Sequence, residues 1–201
     1  MSSRIFTVPN FLTVIRMVLV PVFVTMLYYQ RFEWALAIFV FAGLTDGIDG
    51  FLARRFNQKS QLGTILDPIA DKLLLVTSFI TLSLASIVGR GEHLPVPFWV
   101  TAAVISRDVF IVVGAAAINI VTGFRGFRPS LLGKVNTVVQ ITAIVIILAL
   151  ARFPTLRGYI LPTLYVIVFA SALFSGVHYI FHVSYIMNEG KTEQEDSPDE
   201  R

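Results

Sequence analysis

Four aspartates stand in a fixed pattern, Asp46-x2-Asp49 followed by Asp67-x3-Asp71, in a chain of 201 residues. A spacing of three puts Asp46 and Asp49 on one face of a helix, and a spacing of four does the same for Asp67 and Asp71. Four carboxylates brought together stay ionised only with positive charge between them. Oxygen-only ligands favour hard cations, Mg²⁺ or Mn²⁺, and Mg²⁺ is commonly shared with substrate phosphates. Two such ions about 4 Å apart can clamp a phosphoryl centre during displacement. Between the pairs, Gly50 allows close backbone approach, Ala53 keeps the face small and Arg54 adds a fixed cation for a second phosphate. Loop charges merely paired with Arg54, Arg55, Lys59 and Lys72 would need no such periodicity. The pattern points to metal and phosphate chemistry.

The elements that must hold these residues are apolar. Stretches near Asn10–Tyr29, Trp34–Ala53, Gly63–Gly89, Val96–Thr122, Leu131–Ala151 and Tyr159–Met187 each offer about the 20 residues a membrane-spanning helix needs. The expected fold is therefore an all-α integral membrane protein of six transmembrane helices. Asp46 and Asp49 close the second span, and Asp67 and Asp71 open the third. A short polar loop between them makes an antiparallel pair whose carboxylate faces converge at one membrane surface. Gly43 and Gly47 on the second span read as close-packing positions.

Composition agrees. Hydrophobic residues make up 55% of the chain and charged residues 14%, where a soluble domain carries roughly 25% charged. So thin a polar surface excludes a soluble domain, and 17 Phe exclude a disordered chain. With no cysteine, thiolate metal sites and cysteine nucleophiles are excluded too. The segment 189–201 holds six acids and two bases and reads as an acidic, disordered tail, leaving 1–188 as one basic domain of net charge +7. Bases at the ends of apolar spans suit anionic lipid rather than nucleic acid. Arg4, Arg54, Arg55, Lys59, Arg125, Arg128, Lys134 and Lys191 fall on one side of six spans, against Arg31, Arg90, Arg152 and Arg157 on the other. That excess puts both termini and the aspartates on the cytoplasmic side.

The stretch Asp46-x2-Asp49-Gly50-x2-Ala53-Arg54-x8-Gly63-x3-Asp67-x3-Asp71 resembles the CDP-alcohol phosphatidyltransferase signature at each of its eight defined positions. Val8-Pro9-Asn10-Phe11-Leu12-Thr13-x2-Arg16 and Gly133-Lys134-Val135-Asn136-Thr137-x2-Gln140 are similar to the family's phosphatidylglycerol branch, which holds phosphatidylglycerophosphate synthases and CDP-diacylglycerol-dependent cardiolipin synthases. The resemblance implies a six-helix bundle, commonly a homodimer, in a bacterial-type inner membrane. It implies that Asp46, Asp49, Asp67 and Asp71 bind two Mg²⁺ or Mn²⁺ ions, and that Asp71 is also the catalytic base. It places Gly50, Ala53, Arg54 and Gly63 on the nucleotide. The implied reaction moves a phosphatidyl group from CDP-diacylglycerol to a glycerol-type acceptor and releases CMP.

The acceptor is read from span four, where Arg107-Asp108 interrupts an apolar run. Arg107 is expected either to face an acceptor phosphate, with Lys134 helping, or to form an interhelical ion pair. The resemblance implies a second arginine eight residues on for glycerol 3-phosphate, but that position is Ala115. A phosphodiester carries one negative charge against nearly two for glycerol 3-phosphate, so fewer cations favour phosphatidylglycerol, with glycerol 3-phosphate as the alternative. His178 and His182, four apart on the last span, read as polar interhelical contacts rather than metal ligands. A different class, a divalent-cation transporter, would call for carboxylates near mid-bilayer on several spans. Here they cluster beside one loop.

Overall fold

The structure is a computed structural model that describes residues 8–56, 61–89, 94–122 and 131–195, with side chains described for 11–45, 69–89, 94–114, 116 and 131–181. The described residues are helical nearly throughout. Six long helices are α1 (Val8–Tyr28), α2 (Phe32–Phe56), α3 (Gln61–Ser83), α5 (Phe98–Thr122), α6 (Leu131–Leu150) and α7 (Pro154–Glu195), with a single-turn helix α4 (Ala85–Val88) after α3. By length and composition Phe11–Tyr28, Leu131–Leu150 and Pro154–Phe181 can each cross a membrane, and Phe32–Thr45 is a shorter apolar stretch. At 28 residues the last exceeds what a bilayer core of about 30 Å requires, so it must tilt or extend beyond the core.

Each helix buries one stripe. On α1 the inward residues are Thr13, Arg16, Val20, Phe23 and Leu27, alternating steps of three and four as in a coiled-coil seam. On α2 they are Ala35, Phe39, Ala42 and Thr45, with Phe23 and Phe39 in ring contact at 6.0 Å between centroids. On α7 they are Leu161, Tyr165, Val168, Ala172 and Ser175. Helix α1 packs against α2, α3 and α4, and α7 packs against α5 and α6. The two groups join through α2 with α6, α3 with α5 and α3 with α6. Large side chains turned outward, such as Phe110, Phe174 and Phe181, suit lipid.

The helices depart from the expected spans in three places. The third span is not continuous: Leu84 is extended at φ −88° and ψ 106°, so α3 ends at Ser83 and α4 begins afresh. Locally, the Ser83 hydroxyl donates to the Phe79 carbonyl at 2.9 Å and lies against Thr101 Oγ1, which bends a helix end. Between the fifth and sixth expected spans, Arg152 and Phe153 form the turn, and Pro154 to Gly158 are already helical. Pro154 opens α7, a position where its missing N–H costs nothing. Helix α7 then continues as far as Glu195.

The third departure concerns glycine. A Cβ on Gly43 would meet nothing within 4 Å among the described residues, so Gly43 is not a close-packing position against any of them. Gly47 lies outside the residues whose side chains are described. The tight approach is at Gly114, where a Cβ would stand 3.0 Å from Tyr179 Cε1. The Tyr179 hydroxyl in turn donates to the Ile111 carbonyl at 3.1 Å. We expect Gly114→Ala to be nearly neutral, because better helix propensity offsets a small ring shift. Gly114→Val should destabilise by about 1–3 kcal/mol through overpacking. Thermal unfolding of the purified protein checks both, and a valine variant as stable as the parent would contradict this packing.

Candidate active site

Polar side chains link five helices in series. From α1, Arg16 is buried at 1% exposure and its Nη1 donates to Asp71 Oδ1 on α3. The next residue, Lys72, reaches the other way, with Nζ donating to Asp108 Oδ2 on α5 at 2.6 Å. Asp108 also accepts from Arg107 Nη1 at 2.8 Å. Arg107 Nε and Nη2 donate to Ser175 Oγ on α7 at 3.1 and 2.6 Å. One turn earlier on α7, Ser171 Oγ lies 2.9 Å from Asn136 on α6. The order is α1, α3, α5, α7, α6.

Local sequence explains each placement. Consecutive residues on a helix point about 100° apart, so Asp71 and Lys72 face different neighbours. Ser171 and Ser175, four apart, share a face and receive α6 and α5 respectively. A Cβ at Gly176 would make only ordinary contact with the Arg107 stem, at 3.8 Å from Cγ. Inside a bundle that faces lipid, charged groups are retained only where they are paired. Ser171 also lies 2.8 Å from the Val168 carbonyl. Its single proton goes there if the Asn136 amide donates to Ser171, an orientation that also satisfies the buried Asn136 Nδ2.

The predicted residues fall as follows. Asp46, Asp49, Gly50, Ala53 and Arg54 belong to the last turns of α2, and Gly63 and Asp67 to the first turns of α3. Their side chains lie outside those described. Asp46 is four residues past Ala42 and Asp49 four past Thr45 along α2. Asp67 stands one turn before Asp71. Only four residues separate α2 from α3, so the joined ends lie within about 18 Å of each other. The Asp71 side chain is 41% exposed, accessible from one side while Arg16 holds the other.

Arg107 is buried and bound to Asp108 and Ser175, the interhelical pairing that was one of its two expected roles. Lys72 and Asp108 tie it to the residue next to Asp71. Lys134 is exposed on α6, outside this series. His178 is exposed on α7, and the side chain of His182 lies outside those described. Among the described residues no group of three metal-ligating side chains occurs. Asp71 is the one predicted ligand whose side chain is described, and its partly exposed carboxylate is an oxygen donor of the kind a hard divalent cation takes.

Sequence reasoning did not single out Arg16, Asp108 or Ser175 as site residues. A signal existed for the first: a lone arginine within an otherwise apolar span needs a partner.

Known proteins resemble this chain over most of its length. The sequence model described as CDP-alcohol phosphatidyltransferase matches residues 6–181. The chain is 34% identical over 195 residues to the CDP-diacylglycerol--glycerol-3-phosphate 3-phosphatidyltransferase of Blochmanniella floridana, covering 93% of this chain and 96% of that one. It is 36% identical over 163 residues to the cardiolipin synthase (CMP-forming) of Rattus norvegicus, covering 73% of this chain and 51% of the rat protein, about half its length. Against the CDP-diacylglycerol--glycerol-3-phosphate 3-phosphatidyltransferase of Salmonella paratyphi A, identity is 36% over 150 residues, 69% of this chain and 75% of that one.

Proposed function

The chain belongs to the CDP-alcohol phosphatidyltransferase family, an enzyme family of membranes, and on that premise we propose that it transfers a phosphatidyl group from CDP-diacylglycerol to phosphatidylglycerol, forming cardiolipin and CMP. Asp71 takes the proton of the acceptor hydroxyl, and that oxygen bonds to the phosphatidyl phosphorus. The bond from phosphorus to the bridging oxygen breaks, and this oxygen leaves with CMP. Asp46, Asp49, Asp67 and Asp71 would hold the divalent metal on which the family generally depends, Mg²⁺ or Mn²⁺ and two ions. When bound, the metal supplies positive charge to the phosphates. Gly50, Ala53, Arg54 and Gly63 face the nucleotide. Lys134, exposed on α6, serves the acceptor, while Arg107 is held by Asp108 and Ser175 and contributes its charge from within the bundle.

Six long helices and the cation excess of the loops between them support six spans, with both termini and the site on the cytoplasmic side of a bacterial-type inner membrane. The catalytic domain is 1–188, with 189–201 an acidic tail and the working unit a homodimer.

One observation carries the choice of acceptor. Among the described residues Lys72 and Arg107 share Asp108, a group of three with a formal net charge of +1 beside Asp71. That suits a monoanionic diester better than a dianion. A second reading, glycerol 3-phosphate as acceptor, draws support from the near full-length similarity to the Blochmanniella floridana enzyme. Purified protein supplied with CDP-diacylglycerol, Mn²⁺ and each acceptor in turn decides between them, with the lipid product identified by mass. Cardiolipin is the expected product. Phosphatidylglycerophosphate alone would overturn the choice of acceptor, and uptake of divalent ions into proteoliposomes without CMP release would favour a transporter.

A further inference from the structure

We propose that Arg16 is a positioning residue that holds the Asp71 carboxylate for catalysis. The inference rests on the reading of Asp71 as the base. Arg16 is 1% exposed on a helix long and apolar enough to cross a membrane, a place where a guanidinium is costly. Stability alone does not account for it. Buried ion pairs can often be replaced by apolar residues of similar volume with neutral or favourable effect, and the seam around Arg16 is otherwise Val20, Phe23 and Leu27 beyond Thr13.

The pair is also asymmetric. The cation is enclosed at 1% exposure, while the carboxylate side chain it holds is 41% exposed. A guanidinium fork fixes the direction of a carboxylate better than an ammonium group does. The adjoining pair between Lys72 and Asp108 pulls on α3 from another side. Two ion pairs on consecutive residues, about 100° apart, set the rotation of α3 about its own axis. Asp67, one turn before Asp71, is set by the same rotation.

The test uses the full chain purified in detergent, with CMP release measured across both substrate concentrations. Arg16→Gln should lower kcat by about tenfold to hundredfold, the scale of a misplaced reacting group, with both KM values within about twofold. Arg16→Lys, which keeps the charge and loses the fork, should recover part of that rate and keep the parent's thermal unfolding. In an Asp71→Asn background either change should lower the residual rate no further, because a positioning residue has nothing left to position. Arg152→Gln, which breaks the exposed pair with Glu33, serves as the unchanged control.

If Arg16→Gln does not fold, Arg16→Lys decides: a parent-like kcat overturns the proposal. So does an equal further loss in the Asp71→Asn background, or a change in KM with kcat preserved. Full activity of Asp71→Asn alone would instead remove the reading of Asp71 as base, an outcome distinct from an inactive Asp71→Asn beside a fully active Arg16→Lys.

Discussion

Asp71→Asn is expected to cut CMP release by about 10²–10⁴-fold, the range seen when a positioned proton acceptor is lost. The amide is nearly isosteric with the carboxylate and keeps an oxygen that accepts from Arg16, the contact α3 makes with α1. What it lacks is a place for the acceptor's proton and the negative charge a divalent ion would need. The loss should therefore fall on turnover, with the variant still purifying as a folded helical protein. A steady-state assay of CMP release with Mg²⁺ and with Mn²⁺, alongside thermal unfolding, separates the two. Parent-like turnover in a folded variant would move the base elsewhere.

Asp108→Ala should be the most damaging single change to stability, at about 3–5 kcal/mol, because breaking a buried pair strands its partner. The stranded group is Arg107 at 7% exposure, since Lys72 at 39% can turn toward solvent. Ser175 still accepts from two of the Arg107 nitrogens but brings no charge. Asp108→Asn keeps an acceptor and should lose less. Replacing Arg107 and Asp108 together by apolar residues should recover much of the deficit, whatever it does to activity. Thermal or denaturant unfolding in detergent measures all three, and an Asp108→Ala variant as stable as the parent would show that the pair contributes little. The pair between Arg152 and Glu33 is short at 2.9 Å, yet both side chains are more than half exposed. Exposed pairs are worth about 0–1 kcal/mol.

The long helices were legible because lipid imposes a crude rule: a span must be apolar for some 20 residues. That rule reads length and composition and is blind to backbone detail. It passes through Leu84, since nothing about leucine announces an extended residue. It also starts the last span at Tyr159, although the helix opens five residues earlier at Pro154. The site was legible to the extent that it is periodic. Asp46 with Asp49 and Asp67 with Asp71 are related by helix spacing, whereas Arg16 and Asp71 are 55 residues apart and share no repeat. Arg107 shows the same limit, for its sequence neighbour Asp108 suggested a pair but nothing pointed to Ser175, 68 residues away. Glycines mislead in a related way. Gly43 and Gly114 look alike in sequence, and only the arrival of Tyr179 makes the second a contact.

The separation between Arg16 and Asp71 has a consequence for how the protein is made. With chain growth of about 5–20 residues per second, the carboxylate follows the guanidinium out of the ribosome by roughly 3–11 s. Helix α1 is therefore made before the Asp71 that its arginine pairs with. Insertion of such a charge costs about 2.5–3.5 kcal/mol at a helix centre, while each Leu, Ile, Phe or Val returns about 0.3–0.6 kcal/mol. Between Phe11 and Tyr28 the chain carries three Leu, five Val, one Ile and two Phe, which together outweigh the arginine. The aliphatic load of α1 is what lets a nascent chain carry Arg16 into the membrane and keep it there until α3 arrives.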